Sequence, residues 1–178
     1  MDGGHVSLAA KRSVERESTP PEGPRLLADA MLGRLARWLR ILGYDTLYDP
    51  RLADDALVRL ARAQDRVLLT RDVALARRRG VCTLLIASEQ AEEQLAQVIV
   101  ELELWAAAGP FSRCPVCNDV LEQVPHSWAW GYVPPYTFCT QREFRLCPSC
   151  NRFYWRGTHW ERMQTIIARL RARRSGGP

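Results

Sequence analysis

The sequence predicts an α/β domain with a mainly parallel sheet, followed by a small module organised around four cysteines. Between residues 25 and 105, short apolar runs of the strand type alternate with segments that carry apolar residues at helical spacing. This alternation is typical of parallel α/β sheets. After residue 110, two Cys-x-x-Cys pairs enclose an aromatic segment. The 178 residues are enough for one ordinary domain and a small second one.

The alternation begins at Arg25, and a brief first strand ends at Asp29. Gly43 and Ser88 mark a helix end and a helix start by their residue types. The predicted elements are strand 25–28, helix 32–42, strand 46–48, a helix that opens at Asp54 and Asp55, strand 67–70, a short helix, strand 81–86, and a long helix from residue 88 toward 105. Residues 109 and 110, Gly and Pro, are expected to close this domain, which gives it bounds of 25–109.

Composition and charge narrow the class of protein. Apolar residues make up 47% and charged residues 25%, as in globular proteins, and no apolar run approaches the roughly 18 residues of a membrane span. Residues 1–24 are polar and rich in Pro and Gly, so we expect a disordered leader and a cytoplasmic protein. The net charge is +5 and Lys11 is the only lysine. This arginine-rich, basic balance favours a nucleic-acid partner without establishing one.

The cysteine pattern predicts a structural zinc site. The motif C-P-x-C-N occurs twice, and a two-residue spacer lets both thiolates of a tight turn face one tetrahedral ion. Disulfide frameworks are rare in cytoplasmic proteins, and a redox Cys-x-x-Cys motif normally occurs once. Cys82 and Cys139 are left over, and we expect Cys139 to be a small buried hydrophobe. The predicted zinc ligands are Cys114, Cys117, Cys147 and Cys150.

The segment between the cysteine pairs predicts a long β-ribbon or loop, because its aromatic residues are interspersed with Pro and Gly. These aromatics either stack on nucleic-acid bases or cover a thin zinc core. Thr158 and Glu161 form a capping box, so a terminal helix is expected to start there. Its arginines, from Arg169 to Arg174, either complement the helix dipole or contact phosphate, and His159 is expected to pack at its start. The zinc ribbon and this basic helix are expected to occupy residues 110–174.

Several aspartates are expected to meet at one edge of the parallel sheet. Ligand sites of such sheets gather at the carboxyl ends of the strands. Asp29 and Asp72 follow strands directly, and Asp54 starts a helix on the same edge, with Asp55 beside it. Asp49 also falls there, whereas Asp45 precedes its strand and belongs to the opposite edge. Clustered carboxylates suit Mg²⁺ or Mn²⁺, which hold substrate phosphate and activate water.

Each of these residues also has a purely structural interpretation. Asp29, Asp54 and Asp72 are all good helix caps. The arginines of the first helix are expected on its polar side, where they either contact phosphates near the aspartates or form a solvated face. These arginines are Arg34, Arg37 and Arg40. Their position next to the aspartates favours the functional interpretation.

The chain resembles the PIN-like ribonuclease domain named for the C-terminus of the Mut-seven exonuclease, Mut7-C. The resemblance lies in the L-A-D-A-M-L-G-R-L-A-R-W-L-R segment at 27–40, in G-Y-D-T at 43–46 and in L-L-T-R-D at 68–72. It continues through both cysteine pairs to Y-W-R-G-T-H-W at 154–160, so it covers about 25–165 in the family's order of nuclease-like domain and then zinc ribbon.

The resemblance implies a PIN-like three-layer fold and a metal-dependent ribonuclease that acts on RNA. Asp29, Asp54 and Asp72 match the acidic positions of PIN nucleases and would bind Mg²⁺ or Mn²⁺, with Asp55 in support. The acidic residue that these nucleases carry on an intermediate helix has no clear match. Arg34, Arg37 and Arg71 are the expected RNA-binding residues. Two other functions stay open: a non-catalytic RNA- or ribosome-binding adaptor and a PIN-type toxin nuclease, although a zinc ribbon argues against the toxin.

Overall fold

The computed structural model describes residues 23–104, 109 and 111–175. The predicted leader, apart from residues 23 and 24, lies outside the described residues, as do the predicted helix end at Trp105 and Pro110 at the domain boundary. The side chains of His159, Arg171, Arg173 and Arg174 lie outside them too. In the part of the chain that is described, no helix combines the length and apolar character needed to cross a membrane.

A four-stranded parallel sheet forms the first unit, in the order β2-β1-β3-β4. Helices connect the strands in sequence, which confirms the predicted parallel α/β class. The elements are β1 (Leu26–Ala28), a 3-10 turn (Ala30–Leu32), α1 (Gly33–Ile41), β2 (Thr46–Tyr48), α2 (Asp54–Ala63), β3 (Val67–Thr70), α3 (Val73–Ala76), β4 (Thr83–Leu85) and α4 (Ala91–Glu101).

The core is divided between the two faces of this sheet. Alternate strand residues point to opposite faces, and Leu26 and Ala28 pack with α1 and α4 while Leu27 and Leu68 pack with α2 and α3. The sheet therefore has helices on both sides. Helix α1 buries the apolar face predicted for it, and Gly43 follows it with φ +97°, the left-handed conformation that glycine adopts easily. Helix α4 begins at Ala91, three residues later than expected.

The second unit is an antiparallel sheet in the order β5-β6-β7. Its elements are β5 (Glu122–Val124), a 3-10 turn (His126–Ala129), α5 (Pro135–Thr140), β6 (Phe144–Leu146) and β7 (Phe153–Tyr154), followed by α6 (Thr158–Ser175). The prediction of a continuous ribbon or loop between the cysteine pairs is wrong at α5. Proline at the first helical position favours a helix start, because its fixed φ suits the first turn.

Contacts join the two units. Ile166 of α6 lies in the same core cluster as Leu95 and Val98 of α4, and Arg162 forms an ion pair with Glu92. The backbone N–H of Phe111 donates to the carbonyl of Ile41 at 2.9 Å. The terminal helix thus packs on the parallel-sheet unit after the chain has passed through the cysteine module.

Candidate functional site

Asp29 lies at the carboxyl end of β1 and is held in place from three sides. Its backbone N–H donates to the carbonyl of Leu69 at 3.0 Å. Its side-chain Oδ1 accepts from the N–H of Ala30 at 2.5 Å, and Oδ2 accepts from the hydroxyl of Thr70 at 2.8 Å. The side chain is nearly buried, so its orientation is set by the strand end rather than by solvent.

Thr70 connects Asp29 to Asp72. Its fully buried hydroxyl donates to Asp29 and accepts the backbone N–H of Asp72 at 3.0 Å. Asp72 Oδ1 in turn accepts from the N–H groups of Ala74 and Leu75, at 2.6 and 2.9 Å, and caps α3. Asp29 and Asp72 are therefore brought together at one edge, which we name the carboxyl edge. Sequence reasoning gave Thr70 no role, although a hydroxyl two residues before an aspartate at a strand end was a usable signal.

The loop after Asp29 is fixed by Tyr48. The Tyr48 hydroxyl donates to the carbonyl of Ala30 at 3.0 Å. A Cβ at Gly33 would come within 2.7 Å of that hydroxyl oxygen, so glycine allows the ring to lie across the start of α1. This contact links β2 to the segment that carries Asp29.

Asp54 and Asp55 lie in the exposed first turn of α2, and Ala53 rather than Asp54 is the N-cap residue. Asp55 forms an ion pair with Arg78. Within the described residues, the four cysteines are the one group of three or more Cys, His, Asp or Glu side chains close enough to share an ion. The structure thus joins Asp29 to Asp72 but does not gather Asp54 with them into such a group.

The arginines of α1 have different environments. Arg34 and Arg37 are exposed, as expected for phosphate contact. The expectation for Arg40 is wrong, because its guanidinium is buried and donates to the carbonyls of Thr46 and Val116, both at 2.8 Å. A buried guanidinium whose N–H groups are used by carbonyls cannot contact RNA.

Arg71 lies between Thr70 and Asp72 at the carboxyl edge. It pairs with Glu89 at 2.8 Å, and its Nε is buried without a hydrogen-bond partner. Glu89 follows β4 at the same edge and was not singled out from the sequence. Asp49, also expected at this edge, forms an ion pair with the exposed Arg51.

The two cysteine pairs form matching turns. In the first knuckle (residues 114–118) the N–H of Asn118 donates to the carbonyl of Cys114 at 2.9 Å, and in the second knuckle (residues 147–151) Asn151 does the same to Cys147 at 2.9 Å. Both asparagines have positive φ, at +72° and +55°, which asparagine tolerates better than most residues. The repeated C-P-x-C-N motif therefore encodes a repeated backbone turn.

The four thiols fit a tetrahedral metal ion. Their sulfur atoms all lie within 4.8 Å of one another, and Cys114–Cys150 and Cys117–Cys147 are 3.6 and 3.4 Å apart. Zinc–sulfur bonds of about 2.3 Å place tetrahedral sulfurs about 3.8 Å apart, close to these distances. All six cysteines are free thiols, and Cys139 is exposed rather than buried as expected, because it lies on α5, whose residues are not buried. The four cysteines could bind a structural metal such as zinc.

Tyr154 supports this centre from β7. Its hydroxyl lies 3.1 Å from the sulfur of Cys114. Burial and the neighbouring Cys114 raise the pKa of Tyr154, so the hydroxyl keeps its proton and can donate. Burial opposes ionisation of Cys114, but hydrogen bonds from Tyr154 and from backbone N–H groups outweigh it and lower the pKa of this thiol to about 7. The sequence did not indicate this role of Tyr154. The residue lies four positions after Cys150, and that spacing does not predict a contact with the sulfur of Cys114.

The first knuckle docks on the end of the sheet opposite to Asp29 and Asp72, which we name the amino edge. Asp45 lies there, as predicted, and accepts from Arg66 at 2.8 and 3.0 Å and from Asn118 at 2.7 Å. The N–H of Thr46 donates to the Asn118 side chain at 3.0 Å. Although burial favours the neutral acid, the hydrogen bonds from Arg66 and Asn118 lower the pKa of Asp45 to about 2. Asp45 is thus a structural carboxylate between the sheet and the knuckle.

Comparison with known families finds one match that covers most of the chain. The model of the Mut7-C RNAse domain family matches residues 24–167, which include the carboxyl edge, both knuckles and most of the described part of α6. The chain belongs to the Mut7-C RNAse domain family. No curated protein matches this Mut7-C chain, and no solved structure matches it.

Proposed function

We propose that this Mut7-C chain is a metal-dependent ribonuclease that hydrolyses RNA phosphodiester bonds at its carboxyl edge. The observation that carries the proposal is the arrangement of Asp29, Thr70 and Asp72, in which one buried hydroxyl donates to the Asp29 carboxylate and accepts from the backbone N–H of Asp72. Family membership supports the same reaction class. The proposal includes a PIN-like fold for residues 25–109 and a zinc ribbon with its basic helix for residues 110–174.

The donor chemistry of this edge fits a hard divalent cation. Mg²⁺ and Mn²⁺ prefer carboxylate oxygens, and each oxygen of Asp29 keeps a lone pair beyond the hydrogen bond it accepts. The hydrogen bonds to the Asp72 carboxylate both go to Oδ1, so Oδ2 can bind the ion. When bound, Mg²⁺ or Mn²⁺ would polarise the phosphate and lower the pKa of the attacking water. Asp29 and Asp72 would hold the ion, while the Thr70 hydroxyl keeps the Asp29 carboxylate in its orientation.

Asp54 and Asp55 would complete the acidic site from α2. Both are exposed at the start of that helix, where their side chains can turn toward a bound ion or toward water bound to it. Asp55 would have to leave Arg78 for this role. Arg34, Arg37 and Arg71 would contact substrate phosphates, and Arg71 would exchange the carboxylate of Glu89 for a phosphate oxygen.

The test is cleavage of single-stranded RNA by the purified full-length chain in Mn²⁺ or Mg²⁺. We expect Asp29→Asn and Asp72→Asn to reduce the cleavage rate by about a hundredfold or more, since each removes a ligand charge. Asp65→Asn is the matched control, because Asp65 is an exposed aspartate before β3, away from the carboxyl edge. Cleavage that survives the Asp29→Asn, Asp72→Asn double variant would contradict the assignment.

A second candidate function is a non-catalytic RNA- or ribosome-binding adaptor. Two observations favour it. Among the described residues, Asp54 does not come close enough to Asp29 and Asp72 to share a metal ion with them, and Asp72 already caps α3. Titration of Mn²⁺ followed by electron paramagnetic resonance separates the two candidates. An aspartate-dependent loss of the free Mn²⁺ signal supports the nuclease, and RNA binding without such a loss supports the adaptor.

A further inference from the structure

Eight aromatic side chains of the cysteine module fall into two groups. One group fills the core beneath the antiparallel sheet: Trp128, Phe138, Phe144, Phe153 and Trp155. The other group faces solvent, with Trp130 67% exposed, Tyr132 46% exposed and Tyr136 80% exposed. Covering a thin core therefore explains the first group and leaves the second without that explanation. We name the second group the aromatic surface.

The aromatic surface is anchored to rigid elements. The Trp130 ring meets Phe138 edge-on at 5.0 Å, and the Tyr132 ring stacks on Phe153 at 5.4 Å between centroids. Tyr136 lies in the first turn of α5, directly after two prolines. Rings that are packed in the way of Trp130 and Tyr132 lose little conformational entropy when a ligand stacks on them.

The charge around this surface suits a polyanion. Residues 123–142 contain no aspartate or glutamate. Exposed arginines lie before β6 and on both sides of β7, namely Arg142, Arg152 and Arg156. Arg152 directly precedes Phe153, on which Tyr132 stacks. Glu143 is the exposed acidic residue beside Arg142, so exposed arginines outnumber it around the three rings. Exposed aromatic rings with arginines nearby are a combination that binds single-stranded nucleic acid.

We propose that the aromatic surface binds single-stranded RNA by stacking unpaired bases on Trp130, Tyr132 and Tyr136, while the neighbouring arginines contact the phosphates. This deepens the proposed function, on which the choice of RNA rests, and assigns substrate binding to a surface separate from the aspartates. It also implies a preference for unpaired RNA, since the bases of a duplex are already stacked on one another.

The experiment measures binding of a fluorescent, unstructured RNA to the full-length protein by anisotropy, without added Mg²⁺ or Mn²⁺. We expect Tyr136→Ala to weaken binding about tenfold and Tyr136→Phe to restore it, because stacking needs the ring and not the hydroxyl. Val100→Ala, which truncates a 51% exposed side chain on α4, is the matched control and should bind as the wild type does. Binding of the same sequence as a duplex should be unaffected by Tyr136→Ala. Arg142→Ala should lower the slope of log affinity against log salt by about 0.7.

The outcomes separate this inference from the proposed hydrolysis. If RNA binding depends on the Tyr136 ring but no RNA is cleaved in Mn²⁺, the RNA-binding role of the aromatic surface is supported and the proposed hydrolysis is contradicted. If Tyr136→Ala cleaves RNA with an unchanged KM, the proposed hydrolysis is supported and the RNA-binding role of the aromatic surface is contradicted. Absence of RNA binding by the wild type also overturns the proposed role of the aromatic surface. A Tyr136→Ala variant that changes only its oligomeric state overturns that role too, and indicates that the surface is a protein interface.

Discussion

The two ends of the parallel sheet carry the same kind of residue in opposite settings. At the amino edge, Asp45 is bonded to Arg66 and Asn118, and Arg25 lies 3.5 Å away. At the carboxyl edge, Asp29 accepts from a hydroxyl and from the N–H of the next residue, and neither of these donors is charged. One aspartate therefore has its charge balanced by the protein. The other is oriented without being neutralised.

This difference matches a structural role at the amino edge and the functional role that we propose for the carboxyl edge. The first knuckle covers the amino edge through Asn118 and through the carbonyls that Arg40 contacts, so polar groups there are used within the protein. The carboxyl edge is where ligand sites lie in this class of sheet, and it is the edge at which we propose the metal and RNA to bind. The predictions that follow test whether the two edges are independent.

Removal of the zinc that we propose for the four cysteines should have the largest effect. Structural zinc contributes on the order of 10 kcal/mol to small zinc modules, so chelation or Cys147→Ala should unfold the cysteine module. Because Asn118 bonds both Asp45 and Thr46, we also expect faster amide exchange in β2. Hydrogen exchange followed by mass spectrometry measures both effects. Unchanged protection of residues 44–48 after metal loss would show that the amino edge does not depend on the knuckle.

Asp45→Ala should be the most damaging substitution of an acidic residue in the sheet. It leaves the Arg66 guanidinium, whose side chain is 3% exposed, without a counter-charge, and breaking a buried pair in this way costs about 3 kcal/mol or more. Asp49→Ala is the control, because Asp49 pairs with the exposed Arg51 and exposed ion pairs contribute little to stability. Urea unfolding gives both values. Equal losses in the two variants would remove the distinction between the edges.

The acid dependence of stability should report Asp45. The pKa of Asp45 in the folded protein is lowered to about 2, whereas the pKa of an aspartate in an unfolded chain is about 3.9. Its stabilisation is therefore complete above about pH 4 and is lost as the pH falls through about 2, an effect of about 2 to 3 kcal/mol. The measurement is the difference in unfolding free energy between the wild type and Asp45→Asn across this range, since protonation of the cysteines weakens both proteins alike. A difference that stays constant with pH would contradict the lowered pKa.

Much of the parallel-sheet unit was predictable because its signals are local. The apolar period of α1, Gly43 at its end and the short apolar run before Asp72 each define one element. Helix α5 was missed because aromatic residues with proline favour turns by composition, whereas Pro135 falls at the one helical position where proline is favourable. Whether a proline breaks or starts a helix depends on where the helix begins, and the composition of this segment does not mark that position.

The candidate site was predictable where topology alone decides it. Asp29 and Asp72 follow strands, so the parallel order brings them to one edge. Arg40 was misassigned because the helical period places it among exposed arginines, while the docking of the first knuckle buries it. Contacts between residues as distant in sequence as Asp45 and Asn118, or Cys114 and Tyr154, leave no periodic signal.

Thr70→Val should affect the carboxyl edge and leave the amino edge intact. Valine matches the shape of threonine but cannot donate to Asp29 or accept from the N–H of Asp72, so we expect a loss of about 1 to 2 kcal/mol. RNA cleavage should fall about tenfold or more, because Asp29 loses its orientation. Thr70→Ser, which keeps the hydroxyl, should recover most of the activity. If Thr70→Val cleaves RNA at the wild-type rate, the orientation of Asp29 is not set by this hydroxyl.

Tyr154→Phe should have the smallest effect and should be confined to the metal centre. The substitution keeps the ring against its neighbours and removes the hydroxyl that lies 3.1 Å from the Cys114 sulfur. Loss of a group that hydrogen-bonds to a metal ligand typically lowers metal affinity by about tenfold or more. Zinc should therefore transfer to a chromophoric chelator more readily from this variant than from the wild type. Tyr136→Phe removes an exposed hydroxyl and serves as the control. The module should stay folded when zinc is in excess, so RNA binding and cleavage by this variant should then be unchanged. A loss of cleavage under that condition would mean that the metal centre and the carboxyl edge are coupled through the sheet.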